Sequence, residues 1–328
     1  MSATLPRTAT VVDSEKLLAP GVEKLRAAGV EVTVLPAGTS SADAATACAG
    51  ASAVLVGTTP LRAPELARMP SVRLIVRAGI GFDIIDTDAA AAHGIWVANV
   101  PDYCADEVAD HTVLLLMAAA RRLDEALNLW RREGRWLVYD KLSPVYRPSG
   151  RTLGVVGMGR IGMRVATRAA AFGWRVIGAD AMLPPDAIRA RGAEPVELEE
   201  LFATADAIAL HCPLNAETHH LVNADRLARM RPGGVIVNTS RGGLIDIAAL
   251  TAAIESGHLA AAGLDVLEDE PNVDPDQPVF RHPNVLVTSH VAWYSVDARR
   301  ELALLCADEA IRVIEGGEPR NPVNRPAR

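Results

Sequence analysis

The sequence predicts an α/β chain built as two doubly wound parallel-sheet domains. Short apolar runs alternate with helical patterns from one end to the other, the signature of parallel strands joined by crossover helices. At 328 residues the chain exceeds one domain of about 150 residues, which points to two. Hydrophobic residues make up 49% and aromatic ones only 4%, so the core must be Ala, Val, Leu and Ile, which suit buried parallel strands under small-residue helices.

Five strands are expected first, at Thr8–Val12, Glu31–Leu35, Ala53–Val56, Leu74–Arg77 and Trp96–Asn99, with helical segments such as Gly21–Ala28 and Ser41–Ala47 between them. A single long helix is expected from about Asp106 to Arg132. Val108, Leu115, Leu116, Leu123, Leu127 and Trp130 recur near helical spacing there, and Gly134 ends the run. Trp136–Gly150, with Pro144 and Pro148, reads as an extended connection. A second series of six strands follows: Thr152–Val156, Arg175–Gly178, Ala207–Leu210, Val235–Asn238, Ala261–Leu264 and Val285–Thr288. Six is the number a full dinucleotide-binding sheet uses. After His290 the pattern is helical to about Ile314, and a polar tail, Gly316–Arg328, ends the chain. That last helix extends no sheet, so it is expected to return to the first domain and make it discontinuous.

Composition narrows the function. The formal net charge is −7 with no dense Lys/Arg run, which argues against a nucleic-acid partner. Cys48, Cys104, Cys212 and Cys306 form no CxxC pair and read as thiols of a reduced, cytoplasmic protein. The N-terminus lacks the charged and apolar regions of a signal peptide, and no apolar run reaches the roughly 18 residues that span a bilayer.

The strongest local signal is Gly157-Met-Gly159-Arg160-Ile161-Gly162, between an apolar strand and a helical pattern over Arg164–Phe172. In that context each glycine has its own physical role. Gly157 permits the tight turn, Gly159 allows close approach of the backbone to a diphosphate, and Gly162 allows close helix–strand packing. The diphosphate sits at the helix N-terminus, where N–H groups and the dipole favour an anion. Asp180 lies 18 residues beyond Gly162. A carboxylate there accepts ribose hydroxyls and repels a 2′-phosphate, and no Arg or Lys follows at 181–183, so NAD is expected rather than NADP. The plainer reading of Asp180 is a cap for the next turn.

Three later segments put polar residues at strand ends, where open parallel sheets bind ligands: Asn238-Thr239-Ser240-Arg241, Asp265 to Pro271, and Thr288-Ser289-His290-Val-Ala-Trp293. Oxidising a secondary alcohol with NAD needs a base for the hydroxyl proton, and a carboxylate-bearing substrate needs a cation. His290 with Glu270 offers such a base and its partner, and Arg241 offers the forked cation. Taken singly, each reads as a surface ion pair or a satisfied polar group.

Together these motifs resemble the D-isomer-specific 2-hydroxyacid dehydrogenase family. The likeness extends to Arg77-Ala78-Gly79-Ile80-Gly81-Phe82-Asp83 and Glu107-Val-Ala-Asp-His-Thr112. Pro101 to His111 and His290 to Ser295 resemble its C-terminal-binding-protein-like branch. The resemblance implies an NAD-dependent enzyme moving a hydride between NAD(H) and C2 of a small D-2-hydroxy or 2-oxo acid. It implies His290 as acid/base, Glu270 as its partner and Arg241 as carboxylate anchor, with Arg77, Ala78, Gly79, Ile80, Gly81 and Trp293 around the substrate. Cofactor contacts implied are Ile80, Thr112, Gly157, Gly159, Arg160, Ile161, Gly162, Asp180, Cys212, Pro213, Thr239, Ser240, Arg241, Asp265 and His290. It also implies a flavodoxin-like substrate domain of residues 1–100 plus 292–328, and an inserted Rossmann NAD-binding domain of residues 101–291. A homodimer would form through the segment around 105–150.

Trp293 reads equally as a wall of the substrate pocket or as core packing. The family's usual Pro before the catalytic His is Ser289 here, a change expected to loosen the turn. His111, His211, His219 and His220 have no compact ligand set in sequence, so no metal is expected. Two rival functions share much of this residue set: a phosphite-type dehydrogenase, which also needs a base, and an NAD-sensing scaffold resembling corepressors.

Overall fold

The computed structural model describes residues 5–12, 14–136, 139–142 and 145–326. Pro144 of the expected connection and the first four residues of the N-terminus lie outside them. In chain order the first elements are β1 (Thr8–Val12), α1 (Glu15–Ala27), β2 (Glu31–Val34), α2 (Ser41–Cys48), β3 (Ala53–Val56), α3 (Ala63–Leu66), β4 (Leu74–Arg77), α4 (Thr87–Ala92) and β5 (Trp96–Ala98). Next come α5 (Ala105–Ala120), α6 (Leu123–Glu133), β6 (Thr152–Val156), α7 (Arg160–Ala171), β7 (Arg175–Ala179), α8 (Pro185–Ala190), β8 (Glu194–Pro195), α9 (Leu198–Thr204), β9 (Ala207–Leu210) and α10 (Ala224–Arg229). The chain closes with β10 (Gly234–Asn238), α11 (Ile247–Glu255), β11 (Leu259–Leu264), α12 (Pro278–Arg281), β12 (Val285–Val287) and α13 (Val296–Ile314).

Two compact units result, residues 1–104 with 294–328, and residues 105–293. The first holds a five-stranded parallel sheet in the order β2-β1-β3-β4-β5. Its helix α13 returns from the far end of the sequence to pack on α1. Gly21 makes that approach possible, because a Cβ there would stand 2.2 Å from the Ala303 carbonyl oxygen. Among the described residues no helix is long and apolar enough to cross a membrane.

The second unit holds a parallel sheet ordered β12-β11-β10-β9-β6-β7-β8. The order reverses between β6 and β9, the switch point at which a doubly wound sheet opens a crevice beyond its strand ends. Strands β6, β9 and β10 are buried throughout, as their continuous apolar runs require. α5 lies across β10 and β11 so closely that a Cβ on Gly263 would reach to 2.9 Å from the Leu115 Cβ, which accounts for the small-residue run of β11.

Two expectations need correction. The sheet has seven strands rather than six: β8 is a two-residue edge strand, Glu194–Pro195, too short to show a period. The long helix over 106–132 is two helices, broken where Arg122 adopts φ +51°. No Gly or Pro marks that break. The guanidinium instead meets Glu125 at 2.7 Å and Asn284 at 3.3 Å, a contact 162 residues away that helical periodicity cannot register.

Candidate active site

The glycine turn joins β6 to α7. Gly157 has φ +91°, and a Cβ there would stand 2.6 Å from the Cys212 backbone nitrogen of the neighbouring strand end. At Gly162 a Cβ would sit 2.0 Å from the Gly157 carbonyl oxygen, so that glycine serves packing within the turn. Over Gly159 there is open space, with nothing within 4 Å. Gly159 is also the N-cap of α7, a helix with no side-chain cap and no acidic residue in its first turn. An uncapped 12-residue helix behind a bare glycine fits a dinucleotide's diphosphate.

Asp180 follows β7 and binds backbone with both carboxylate oxygens. Its Oδ1 caps the next turn by accepting from Met182 and Leu183 N–H at 2.9 and 3.1 Å. Its Oδ2 accepts the Met158 N–H at 2.8 Å, which ties the glycine turn to β7. A carboxylate offers about four acceptor positions, so three bonds leave room for a ribose hydroxyl. Around the same strand ends, Thr112 and Thr239 share a buried hydroxyl–hydroxyl bond of 2.7 Å, and Ser240 Oγ donates to the Cys212 carbonyl at 2.8 Å. Burial pushes the Cys212 thiol up to about 11, so it is no nucleophile at neutral pH. Pro213 accepts from Thr218 Oγ1 through its carbonyl, Arg160 opens α7, and the next residue, Ile161, packs against the core beneath it.

Arg241, Glu270 and His290, the expected catalytic residues, lie in the loops after β10, β11 and β12. His290 Nδ1 lies 2.6 Å from Glu270 Oε2. Glu270 Oε1 accepts the Leu267 N–H at 2.5 Å, so both carboxylate oxygens are engaged. Partial burial raises the Glu270 carboxyl. The His290 hydrogen bond, the Leu267 N–H and the nearby charges of His290 and Arg241 outweigh it and hold the group below the usual carboxylate range. Arg241 is half-buried, its Nη1 donating to the Ser240 carbonyl at 2.7 Å and its own carbonyl accepting from Asn238.

Asp265, expected from the sequence as a cofactor contact, is engaged by its own protein. It is buried, and its carboxylate accepts from Thr288 Oγ1 at 2.5 Å, Val291 N–H at 3.0 Å and Ala292 N–H at 2.9 Å. Its carbonyl accepts the His290 N–H at 2.8 Å. His111 closes the group through Thr288 Oγ1 at 3.0 Å. These bonds hold His290 at φ +53°, a conformation that costs a non-glycine residue about 1 kcal/mol or more. The turn expected to loosen with Ser289 is therefore tied from below. Trp293 ends this unit, half-buried.

In the other unit the loop after β4 carries Arg77 to Gly81. The Arg77 guanidinium folds back on the Ala78 carbonyl. The Ala78 N–H donates to Val56 and the Gly79 N–H to Arg77, both at 2.8 Å, while Asn99 holds the Ile80 carbonyl at 2.7 Å. Two N–H groups of the expected carboxylate pocket are thus already used, which narrows the loop's donors to Ile80 and Gly81.

The histidines not assigned to the site divide. His211 has its Nε2 shut off from solvent without a hydrogen-bond partner, and burial pushes it down to about 4. His219 and His220 overturn the expectation of no compact ligand set, because the fold brings Glu268 to both of them. Sequence spacing gives no sign of that meeting across 48 residues.

Residues 113–292 match the family model described as "D-isomer specific 2-hydroxyacid dehydrogenase, NAD binding domain". The chain is 40% identical over 270 residues to a glyoxylate reductase of Korarchaeum cryptofilum, covering 82% of this chain and 81% of that one. It is 39% identical over 274 residues to a D-3-phosphoglycerate dehydrogenase of Mycobacterium leprae, of which it spans 50%. Among solved structures, a glyoxylate reductase from Paecilomyes thermophila superposes with a TM-score of 0.88 at 32% identity, covering 97% of this chain and 99% of that chain.

Proposed function

Because the chain belongs to the D-isomer specific 2-hydroxyacid dehydrogenase family, we propose that His290, Glu270 and Arg241 carry its chemistry and that its substrate is a small 2-oxo acid of the glyoxylate type. The chain is an NAD-dependent oxidoreductase of 2-hydroxy and 2-oxo acids. Bound at the glycine turn Gly157–Gly162, with Asp180 toward its ribose, NAD(H) would supply or accept the hydride at substrate C2. The observation that carries the assignment of residues is the 2.6 Å contact between His290 Nδ1 and Glu270.

With Nδ1 committed to Glu270, the proton-transferring face of His290 is Nε2. In reduction Nε2 donates its proton to the carbonyl oxygen, and the ionised Glu270 stabilises the imidazolium that precedes transfer. In oxidation the neutral ring takes the hydroxyl proton at the same atom. Arg241 anchors the substrate carboxylate in forked geometry. Asp180 selects NAD over NADP by like-charge repulsion of a 2′-phosphate.

The same reading takes the protein as a cytoplasmic homodimer formed through the segment around 105–150. What supports the dimer is α6, which buries none of its residues and exposes Leu123 and Trp130. Light scattering at micromolar concentration tests it, and a monomer would sink it.

The central experiment follows NADH oxidation with glyoxylate, pyruvate, hydroxypyruvate, phenylpyruvate and 4-methylthio-2-oxobutyrate. Turnover of glyoxylate or a near relative, lost in His290→Ala, is expected. Turnover that survives His290→Ala would overturn the assignment of residues. Turnover confined to the bulky acids would overturn the substrate class.

A further inference from the structure

Two histidines and a glutamate in residues 105–293 meet in an arrangement the redox chemistry does not use. His219 and His220 lie in the loop between β9 and α10, and Glu268 lies in the loop after β11. Consecutive residues of extended chain point their side chains apart. Here His220 takes φ +48°, its N–H fixed on the Gly243 carbonyl at 2.8 Å, and the two rings come to one side. They stack with centroids 3.9 Å apart and an interplanar angle of 24°. Each aims its Nε2 at a different oxygen of Glu268, at 2.9 Å from His219 and 3.0 Å from His220. Hydrogen bonding from His220 and His219 holds the Glu268 carboxyl low against the opposing effect of burial, so the group is an anion at neutral pH. All three side chains are open to solvent, at 51%, 36% and 39% exposure, so an ion has a path in.

We propose that His219, His220 and Glu268 form a binding site for a first-row divalent transition metal ion, with zinc as the probe. The donor set is two imidazole nitrogens and one carboxylate, all within 4.8 Å of one another. Imidazole suits zinc, nickel and copper, whereas magnesium and calcium seek oxygen ligands. A tetrahedral ion with ligands at about 2.0–2.1 Å holds its ligand atoms about 3.3 Å apart. The 2.9 and 3.0 Å contacts run to different oxygens of Glu268, so a tetrahedral ion lengthens one of them slightly and draws the other ring toward the same oxygen, from ligand atoms that already lie within 4.8 Å of one another. On binding the ion each ring gives up the Nε2 proton it donates to Glu268, and the neutral ring keeps its proton on Nδ1. Three protein ligands leave the fourth position to water. The site is distinct from the His290–Glu270 pair, so its occupancy is read directly, whatever the substrate proves to be.

The full-length protein, stripped with chelator and dialysed, is titrated with Zn²⁺ by calorimetry. One tight equivalent per chain is expected, weakened at least tenfold in His219→Gln and in Glu268→Gln, and unchanged in the control His282→Gln. In the wild-type protein, Zn²⁺ is also expected to move the imidazole NMR signals of His219 and His220 before those of other histidines. That second readout does not depend on any variant folding. Zinc binding of equal strength in all variants, first shifts at other histidines, or no binding at millimolar Zn²⁺ would each overturn the proposal and leave the three residues as a hydrogen-bonded clamp.

Discussion

Gly159 and Gly162 stand three residues apart in one turn, yet the structure gives them opposite work, and alanine at each separates the two. A Cβ on Gly162 would sit 2.0 Å from the Gly157 carbonyl oxygen and 3.2 Å from Val155 Cγ1. Ordinary contact is about 3.4 Å or more, so α7 must move more than 1 Å from the turn. Overpacking of that kind costs roughly 1–3 kcal/mol. At Gly159 a Cβ meets nothing within 4 Å, and φ is an ordinary −69°. Alanine there loses about a few tenths of a kcal/mol as an N-cap and regains a similar amount from a stiffer unfolded chain. Its methyl, however, projects into the space assigned to the diphosphate. Gly159→Ala is therefore expected to unfold in urea within about 0.5 kcal/mol of wild type and to bind NADH at least tenfold more weakly, about 1.4 kcal/mol. Gly162→Ala is expected to lose both stability and binding. Urea unfolding with NADH fluorescence titration on the same samples makes the comparison. Wild-type NADH affinity in a folded Gly159→Ala protein would refute the placement of the diphosphate.

His290→Ala is expected to cut turnover by about 10²–10⁴-fold with NADH affinity held within twofold; a normal rate would remove the acid/base assignment. Asp180→Ala is expected to erode the preference for NADH over NADPH and to loosen the turn that loses its Met158, Met182 and Leu183 bonds; unchanged selectivity in steady-state kinetics would refute the ribose reading. Asp265→Asn places an amide NH₂ against a backbone N–H and is expected to cost about 1–3 kcal/mol in urea unfolding together with most of the turnover; an unaltered midpoint contradicts its positioning role. His211 stays neutral in the fold down to about pH 4, whereas the unfolded chain takes up a proton near pH 6.5. Its contribution, at most about 3 kcal/mol, is complete above pH 6.5 and is lost as pH falls toward 4. The acid limb of stability against pH should be shallower in His211→Leu, and equal slopes would count against it.

Much of this was legible because the informative residues sit where local rules apply. The apolar runs Thr152–Val156 and Ala207–Leu210 are strands buried on both faces, so they announce themselves without any partner being known. The glycine turn combines an abrupt strand end, a spacing and a helix start, all local. Arg122 is different. Its left-handed conformation rests on Glu125 and Asn284, and nothing in the local pattern Arg121-Arg122-Leu123-Asp124 says that the helix should stop.

Asp265 shows the same limit inside the site, where a motif reveals that a residue matters but not how. By position it reads as a cofactor contact. In the fold its carboxylate is taken up by Thr288, Val291 and Ala292, and its carbonyl by the His290 N–H. A buried carboxylate with its oxygens filled by its own protein has little left to offer a ligand, and removing it would strand two backbone donors at a cost of about 1–3 kcal/mol each. That stabilisation exceeds the roughly 1 kcal/mol or more needed to keep His290 left-handed. The balance explains how a histidine, with no glycine's freedom and no preceding proline, can hold a fixed bearing toward Glu270. The proposed general acid, His290, is thus aimed by a residue 25 positions upstream, through backbone rather than through its own ring.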